Sequence, residues 1–429
     1  MRAVATRSPQ ADLRRRAEDL FPGGVNSPVR AFRAVGGEPV ILASGSGARV
    51  RDVDGREYLD YIGGWGPAIL GHGHPGVVDA IRNAALDGFA LGATGPLEVE
   101  LAARIRARMP SMERLRFTSS GTEAVMSAIR LARAATGRDL VVKFGGGYHG
   151  HSDGLLADAG SGLATYGIPG SAGVPAAAAA TTVVLPYNDR AAARFAFDAH
   201  AGRIAAVIVE PVAANVGVIA PVPGFLEDLR GLTHADGALL IFDEVITGFR
   251  VAPGGAQARF GVRPDLTTLG KIIGGGMPIG AYGGRADLLA LIAPSGPVYQ
   301  AGTLSGHALS MAAGIATLDA LDMDAYDTLE DVSARLEAGL TVSAAAAGRT
   351  VAIARVGSLL TVSFRECAPL NGEEALTSDR DAFARFFRAI LTEGVLLPPS
   401  PFEAWFVSLA HGDVEIEETV AAAYRAFAA

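Results

Sequence analysis

Only two of the 37 basic residues in this chain are lysines, Lys143 and Lys271; the other 35 are arginines. A lysine kept where arginine is otherwise used throughout is a candidate for chemistry that arginine cannot do. Lysine can lose its proton and form a Schiff base, whereas arginine stays charged. Lys143 sits in Leu140-Val-Val-Lys-Phe144, where a strand-end lysine is an adequate reading. Lys271 stands between a short apolar run and a glycine cluster, in Leu266-Thr-Thr-Leu-Gly-Lys271-Ile-Ile-Gly-Gly-Gly276. That is an unusual place for a merely solvating charge.

Three motifs precede Lys271. Ser119-Ser120-Gly121-Thr122-Glu123 lies between a strand pattern and a helix pattern. Small residues there leave amide groups at a helix N-terminus, which favours a phosphate. An ordinary N-cap with Glu in the first turn fits equally well. Gly145-Gly-Gly-Tyr148-His149-Gly150-His151 follows the next strand, where Tyr148 and His149 could cover a planar ring or simply fill a turn. Phe242-Asp243-Glu244-Val245 ends an apolar strand in two acids, at the edge where open α/β sheets bind ligands. Such a carboxylate can bind Mg2+, act as a base or pair with a protonated ring nitrogen. The ordered set of phosphate-type loop, aromatic, strand-end Asp and lysine is what pyridoxal phosphate chemistry requires. Lys271 would hold the cofactor aldehyde as an imine and shuttle protons, and Asp243 would keep the pyridine nitrogen protonated.

The elements that must position these residues alternate apolar strands with amphipathic helices. Strands are expected at Leu115–Thr118, Leu140–Phe144, Ile204–Val209 and Ala238–Phe242, with helices at Ala124–Ala135 and Phe225–Ala235. Continuous apolar runs such as IAAVIV suit strands buried on both faces of a parallel sheet. The fold class is therefore α/β, with a large domain over 71–320 built on a mostly parallel sheet. Residues 1–70 contain a small antiparallel element around the Asp52-Val-Asp-Gly55 turn. Residues 321–429 form a smaller α+β domain with elements at Ser333–Ala345, Val351–Phe364, Arg380–Glu393 and Trp405–Ala410, sharing a layer with the N-terminal segment. Segment 151–179, rich in Gly, Ser, Ala and Pro, reads as a lid or a disordered loop.

Composition narrows the function classes. The 429 residues are 49% hydrophobic and 19% charged, with a net charge of −8, so no broad attraction to nucleic acid or anionic membrane is expected. One cysteine, Cys367, makes no intrachain disulfide, and His72 with His74 or His149 with His151 lacks the further ligands of a metal site. No metal is expected. The N-terminal arginines lack an apolar run of signal-peptide length; a transit peptide is the competing reading, and a cytoplasmic location the expected one.

Across almost its whole length the chain also resembles a known family. Phe21-Pro-Gly-Gly-Val-Asn-Ser-Pro-Val-Arg-Ala-Phe32, Trp65-Gly-Pro-Ala-Ile-Leu-Gly-His72, Ser120-Gly-Thr-Glu-Ala124, Tyr148-His-Gly-His151, Asp243-Glu-Val-Ile-Thr-Gly-Phe-Arg250, Tyr299-Gln-Ala-Gly-Thr-Leu-Ser-Gly306 and Pro399-Ser-Pro-Phe-Glu403-Ala carry the likeness. They are similar to the glutamate-1-semialdehyde 2,1-aminomutase family within the class III aminotransferases. The Asp-to-Lys portion marks only the class; the Val-Asn-Ser-Pro-Val-Arg opening, Ala159-Gly-Ser-Gly162 and Phe402-Glu403-Ala404 point to the aminomutases. The chain departs from the family at His307-Ala308, where Asn-Pro is common, at Trp405, where many have glycine, and at Gly145, where an acid is common.

The resemblance implies the fold type I architecture of PLP-dependent transferases and an isomerase that converts (S)-glutamate-1-semialdehyde to 5-aminolevulinate through 4,5-diaminovalerate, on the route to tetrapyrroles. It implies pyridoxal and pyridoxamine phosphate as cofactor forms, with Lys271, Asp243 and Tyr148 catalytic. Ser120, Gly121, Thr122, Tyr148, His149, Asn215 and Val245 are implied at the cofactor. In a homodimer with shared sites, Gly302 and Thr303 would complete the partner's phosphate site. Arg30 is the candidate for the substrate carboxylate, with Ser27, Ser161 and Glu403 as polar neighbours. A class III aminotransferase acting on another small amino acid or amine is the alternative. A catalytically idle binding protein is a third reading, disfavoured by retention of Asp243 and Lys271.

Overall fold

The structure, a computed structural model, describes residues 8–156 and 170–429. After a helix at Pro9–Leu20 come three antiparallel strands, β1 (Leu42–Ser46), β2 (Arg49–Asp52) and β3 (Glu57–Asp60). The reversal between β2 and β3 is the Asp52–Gly55 turn. Asp52 Oδ1 accepts from the amides of Asp54 (3.0 Å) and Arg56 (2.9 Å), so the carboxylate holds the turn from inside.

The central sheet contains β4 (Arg114–Thr118), β5 (Leu140–Phe144), β6 (Thr182–Leu185), β7 (Ile204–Val209), β8 (Leu239–Asp243), β9 (Leu266–Gly270) and β10 (Gly280–Gly284). Their spatial order is β4-β10-β9-β8-β7-β5-β6. From β9 to β6 every neighbouring pair is parallel, and β10 is antiparallel to both β4 and β9. Every residue of β5, β7, β8 and β9 is buried, as strands covered by helices on both faces must be.

The helix Gly121–Thr136 connects β4 to β5 and packs across β10, β9 and β7. Its buried residues Ala124, Val125, Ala128, Ile129, Leu131 and Ala132 form one face at helical spacing. Gly137, left-handed at φ 68°, terminates it. Crossing from the β4 edge toward β5 sets the helix N-terminus beside the ends of the middle strands.

The C-terminal section holds β11 (Ala352–Val356), β12 (Leu359–Ser363), β13 (Val395–Leu396) and β14 (Trp405–Phe406). β13 pairs in parallel with β3 and so extends the N-terminal sheet. One core joins Tyr58, Leu59 and Tyr61 to Leu336, Leu340, Phe383, Phe387 and Trp405.

Three expectations for this section need revision. The expected strand Val351–Phe364 is a hairpin, because Gly357 (φ 58°) and Ser358 turn the chain between the paired residues Val356 and Leu359. The helix expected at Ser333–Ala345 spans Met323–Ala346, starting where the Asp322 carboxylate accepts from Ala325 N at 2.9 Å. The last strand pairs only through Trp405 and Phe406. Within segment 151–179, a 3-10 turn at Asp153–Leu155 and a helical turn at Ala176–Ala179 are the described elements; residues 157–169, with Ser161, lie outside the described residues. No helix among the described residues is long and apolar enough to cross a membrane.

Candidate active site

Four neighbouring strands of the central sheet deliver functional groups at their C-terminal ends. β9 leads into Lys271, β8 ends in Asp243, β7 is followed by Glu210, and β5 leads into the loop carrying Tyr148 and His149. A cavity of about 370 Å3 lies over these ends, lined by Lys271, Asp243, Glu210, Tyr148, His149 and Asn215. Ser119, Ser120, Gly121 and Thr122 line it from the side of the long helix, and Val245 from the turn after β8. Ligand sites at the carboxyl ends of parallel strands follow from the fold, since the connecting loops leave a crevice there.

Asp243 is buried, and both of its carboxyl oxygens are hydrogen-bonded. Its Oδ1 accepts from Val245 N (3.1 Å) and Thr268 Oγ1 (3.1 Å), and its Oδ2 lies 2.7 Å from His149 Nδ1. Val245 N, Thr268 Oγ1 and His149 Nδ1 together fix the orientation of its carboxyl group. His149 is therefore a partner of the acid, bonded to it through Nδ1, rather than only a cover for a ring. Its Nε2 is buried with no hydrogen-bond partner among the described residues.

Lys271 opens a 3-10 turn directly after β9 and has a left-handed backbone, φ 49°. That conformation costs a non-glycine residue about 1–2 kcal/mol, so the surrounding packing must enforce it. Burial lowers the proton affinity of its amine, while Asp243, Glu210 and Glu403 oppose that effect and Arg250 adds to it. The other lysine behaves differently. Lys143 is wholly buried within β5 rather than solvated at its end, and its Nζ donates to Leu155 O at 3.1 Å.

The Ser120 segment is a cap as well as a cavity wall. Ser120 is the N-cap, its side chain accepting from Glu123 N at 3.2 Å, and Glu123 reaches back to Ser119 N at 2.7 Å. The cap engages Ser119, Ser120 and Glu123, and Gly121 and Thr122 line the cavity wall. A Cβ on Gly121 would come within 3.2 Å of Val245 Cγ2, so the glycine lets the helix approach that turn.

Glu210 was not apparent from the sequence. It is buried, and burial holds it above the ordinary carboxylate range. It accepts from Tyr148 N (2.9 Å), Ala214 N (3.0 Å) and Asn215 Nδ2 (2.9 Å), and so ties two cavity-lining residues to β7. The available signal was an acid directly after an apolar strand, the same signal that marks Asp243. Tyr148 is 42% exposed and lines the cavity.

Other candidates lie outside this cavity lining. Ser27 precedes the turn Pro28–Ala31, and Arg30 in that turn is exposed. Glu403 is buried and near enough to influence Lys271. Gly302 and Thr303 line a different cavity of about 700 Å3, with residues 87–98 and His307. His307 immediately precedes the helix Ala308–Asp319, and its ring lies 5.7 Å from that of Phe89. Trp405 is fully buried in the shared core against Tyr61, away from the cavity.

The arrangement can bind a planar ring between Val245 and the Tyr148 loop, place a carboxylate on it and present a deprotonatable amine to it. The model of the aminotransferase class-III family matches residues 32–410. A glutamate-1-semialdehyde 2,1-aminomutase of Sorangium cellulosum (strain So ce56) is 56% identical over 428 residues, covering 100% of this chain and 98% of that protein. Among solved structures, an omega-transaminase from Sphaerobacter thermophilus superimposes with a TM-score of 0.90 at 34% identity, over 98% of this chain and 97% of its own. A variant glutamate-1-semialdehyde-aminomutase from Pseudomonas aeruginosa PAO1, in complex with PMP, does so with a TM-score of 0.86 at 30% identity, over 97% and 93%. With strand-end acid, lysine and capped helix set around one cavity and the family model spanning most of its length, this chain belongs to the class III aminotransferases.

Proposed function

We propose that this chain is a cofactor-dependent aminomutase that converts (S)-glutamate-1-semialdehyde to 5-aminolevulinate, feeding tetrapyrrole synthesis. The 56% identity to an aminomutase over the whole chain supports the reaction. The observation that carries the chemistry is the half-buried Lys271 sharing one cavity with Asp243 and a capped helix N-terminus.

The residues present fit pyridoxal or pyridoxamine 5'-phosphate. The amides of Gly121 and Thr122, with Ser120, would hold the phosphate at the positive end of the helix. Asp243 would hold the ring nitrogen, Val245 and Tyr148 would lie near the ring, and Asn215 would be steadied by Glu210. Lys271 would carry the group. When bound, the cofactor supplies an electron sink and a carrier for the amine.

The chain's own groups do the rest. His149 and Thr268 keep Asp243 oriented toward the cavity. Burial leaves the Lys271 Nζ more easily deprotonated than an exposed lysine, so it can take and return a proton at the reacting carbon. The substrate's aldehyde carbon gains an amine and its neighbour loses one, with 4,5-diaminovalerate between. Arg30 is assigned to the substrate carboxylate, because a guanidinium offers it two parallel donors. Ser27, Glu403 and Ser161 are its proposed polar neighbours. Residues 1–70 and 321–429 would act as one smaller domain against the large domain 71–320.

Two copies would share their sites in a homodimer. Gly302 and Thr303 are away from this chain's own Lys271 cavity, which suits residues that complete the partner's phosphate site. The location proposed is cytoplasmic, and neither nucleic acid nor membrane is a proposed partner.

The deciding assay mixes purified enzyme, loaded in the pyridoxamine form, with glutamate-1-semialdehyde and no oxo acid. Formation of 5-aminolevulinate supports the aminomutase. A strict requirement for an added oxo acid would replace it with an aminotransferase acting on another small amine.

A further inference from the structure

Arg250 is the largest charged side chain fully buried in the described structure, 2% exposed, and its hydrogen-bond partners among the described residues are all uncharged. A buried cation without a carboxylate is costly, so its hydrogen bonds carry the compensation. Nη1 donates to Ser358 Oγ (3.0 Å) and to Val407 O (3.1 Å), and Nη2 donates to Gly66 O (2.5 Å). Its Cζ also lies 5.2 Å from the centre of the Phe406 ring. One guanidinium, seven residues after Asp243, thus gathers the 63–66 turn, the β11–β12 hairpin and β14.

Those segments wall in the lysine. Gly66 has φ 117°, and a Cβ there would come 3.1 Å from Lys271 Cδ and 3.0 Å from Phe406 Cε1. The carbonyl that Arg250 holds belongs to the residue packed against the lysine's methylenes.

We propose that Arg250 is a positioning residue for Lys271, pinning Gly66 and the Phe406 strand as the wall that fixes the lysine side chain and keeping a like charge within electrostatic reach of its amine. This rests on Lys271 being the lysine that carries the cofactor. The charged groups facing Lys271 are Asp243, Glu210 and Glu403, which favour its protonated form, and Arg250, which disfavours it. The group facing Arg250 from the helix Met323–Ala346 is Tyr326, whose hydroxyl donates to Phe249 O at 2.9 Å. Of these, only Arg250 adds to burial in easing the release of the lysine proton.

The chain's two lysines make the test clean. Cofactor-free protein is treated across a pH series with an amine-arylating reagent, and labelling of Lys271 and Lys143 is read by peptide mass mapping. Arg250→Met removes the charge at similar volume and should move the Lys271 half-labelling pH upward, while buried Lys143 stays unlabelled in folded protein. Arg250→Lys keeps the charge but not the planar fork. It should hold the half-labelling pH near wild type while lowering kcat about tenfold with little change in KM. An unmoved half-point in folded Arg250→Met overturns the proposal, as does wild-type kcat in Arg250→Lys. Should Arg250→Met not fold, Arg250→Lys decides: an upward shift like that expected for the methionine variant also overturns it. Borohydride trapping of the cofactor on Lys143 would instead remove the reading of Lys271, a distinct result.

Discussion

His149 Nδ1 lies 2.7 Å from Asp243 Oδ2, joining two residues 94 positions apart across the C-terminal edge of the central sheet. The strand between β5 and β8 is β7, so the bond spans the end of β7 and leaves Glu210 beside it. Removing the imidazole leaves a buried carboxylate short of a partner, which costs about 1.5–3 kcal/mol for a hydrogen bond to a charged group. His149→Ala should therefore lower kcat about 10- to 100-fold. His149→Asn, which can keep one donor, should recover part of that; equal loss in both variants would show that the bond is not what matters.

Lys271→Ala should abolish the visible absorbance of the lysine-bound cofactor and lower kcat by about 10²–10⁴-fold, the range for a lost proton-transfer group. Borohydride reduction of the wild type followed by peptide mapping should tag Lys271. A tag on Lys143 would overturn the assignment.

Glu210 gives a pH signature. Burial raises its carboxyl above the ordinary range, so the folded protein keeps a proton that the unfolded chain has already released. The stability this group contributes is full below the ordinary glutamate range and falls as pH rises through the folded value. Glu210→Gln cannot titrate. Whatever constant penalty its amide brings, its thermal midpoint should gain on that of the cofactor-free wild type as pH rises above the ordinary glutamate value of about 4.5. A pH-independent difference would mean that Glu210 titrates as an exposed acid does.

Arg30→Ala should raise the KM for the semialdehyde about 10- to 100-fold, as loss of charge-assisted bonds to a carboxylate would. Cofactor absorbance should be intact. Unchanged kinetics would remove Arg30 from the substrate model.

Shared sites can be tested by complementation. Chains carrying Lys271→Ala and chains carrying Thr303→Arg should each be nearly inactive as homodimers. A mixed dimer rebuilds one intact site if Thr303 serves its neighbour, so activity should return on mixing. No recovery in demonstrated heterodimers, or a fully active monomer by light scattering, would count against sharing.

From the sequence alone came the residue types that decide the chemistry and the elements made from continuous apolar runs. Lys271 stood out because Lys143 is the only other lysine. β5 and β7 lie where the runs Leu140–Phe144 and Ile204–Val209 put them, since a strand buried on both faces must be apolar throughout. The Ser120 cap was legible because capping is local. What the sequence left open depends on chain reversal or on neighbours distant in the chain. An apolar run does not say where it folds back, so the Gly357-Ser358 turn was read through as strand. Glu210 and Arg250 are ordinary acid and base by type. Their roles exist only because the order β9-β8-β7-β5 and the closing of three segments on one guanidinium bring them to Lys271. Gly302 and Thr303 face another cavity for the same reason: strand order and loop path, which no local pattern encodes, decide which side chains meet.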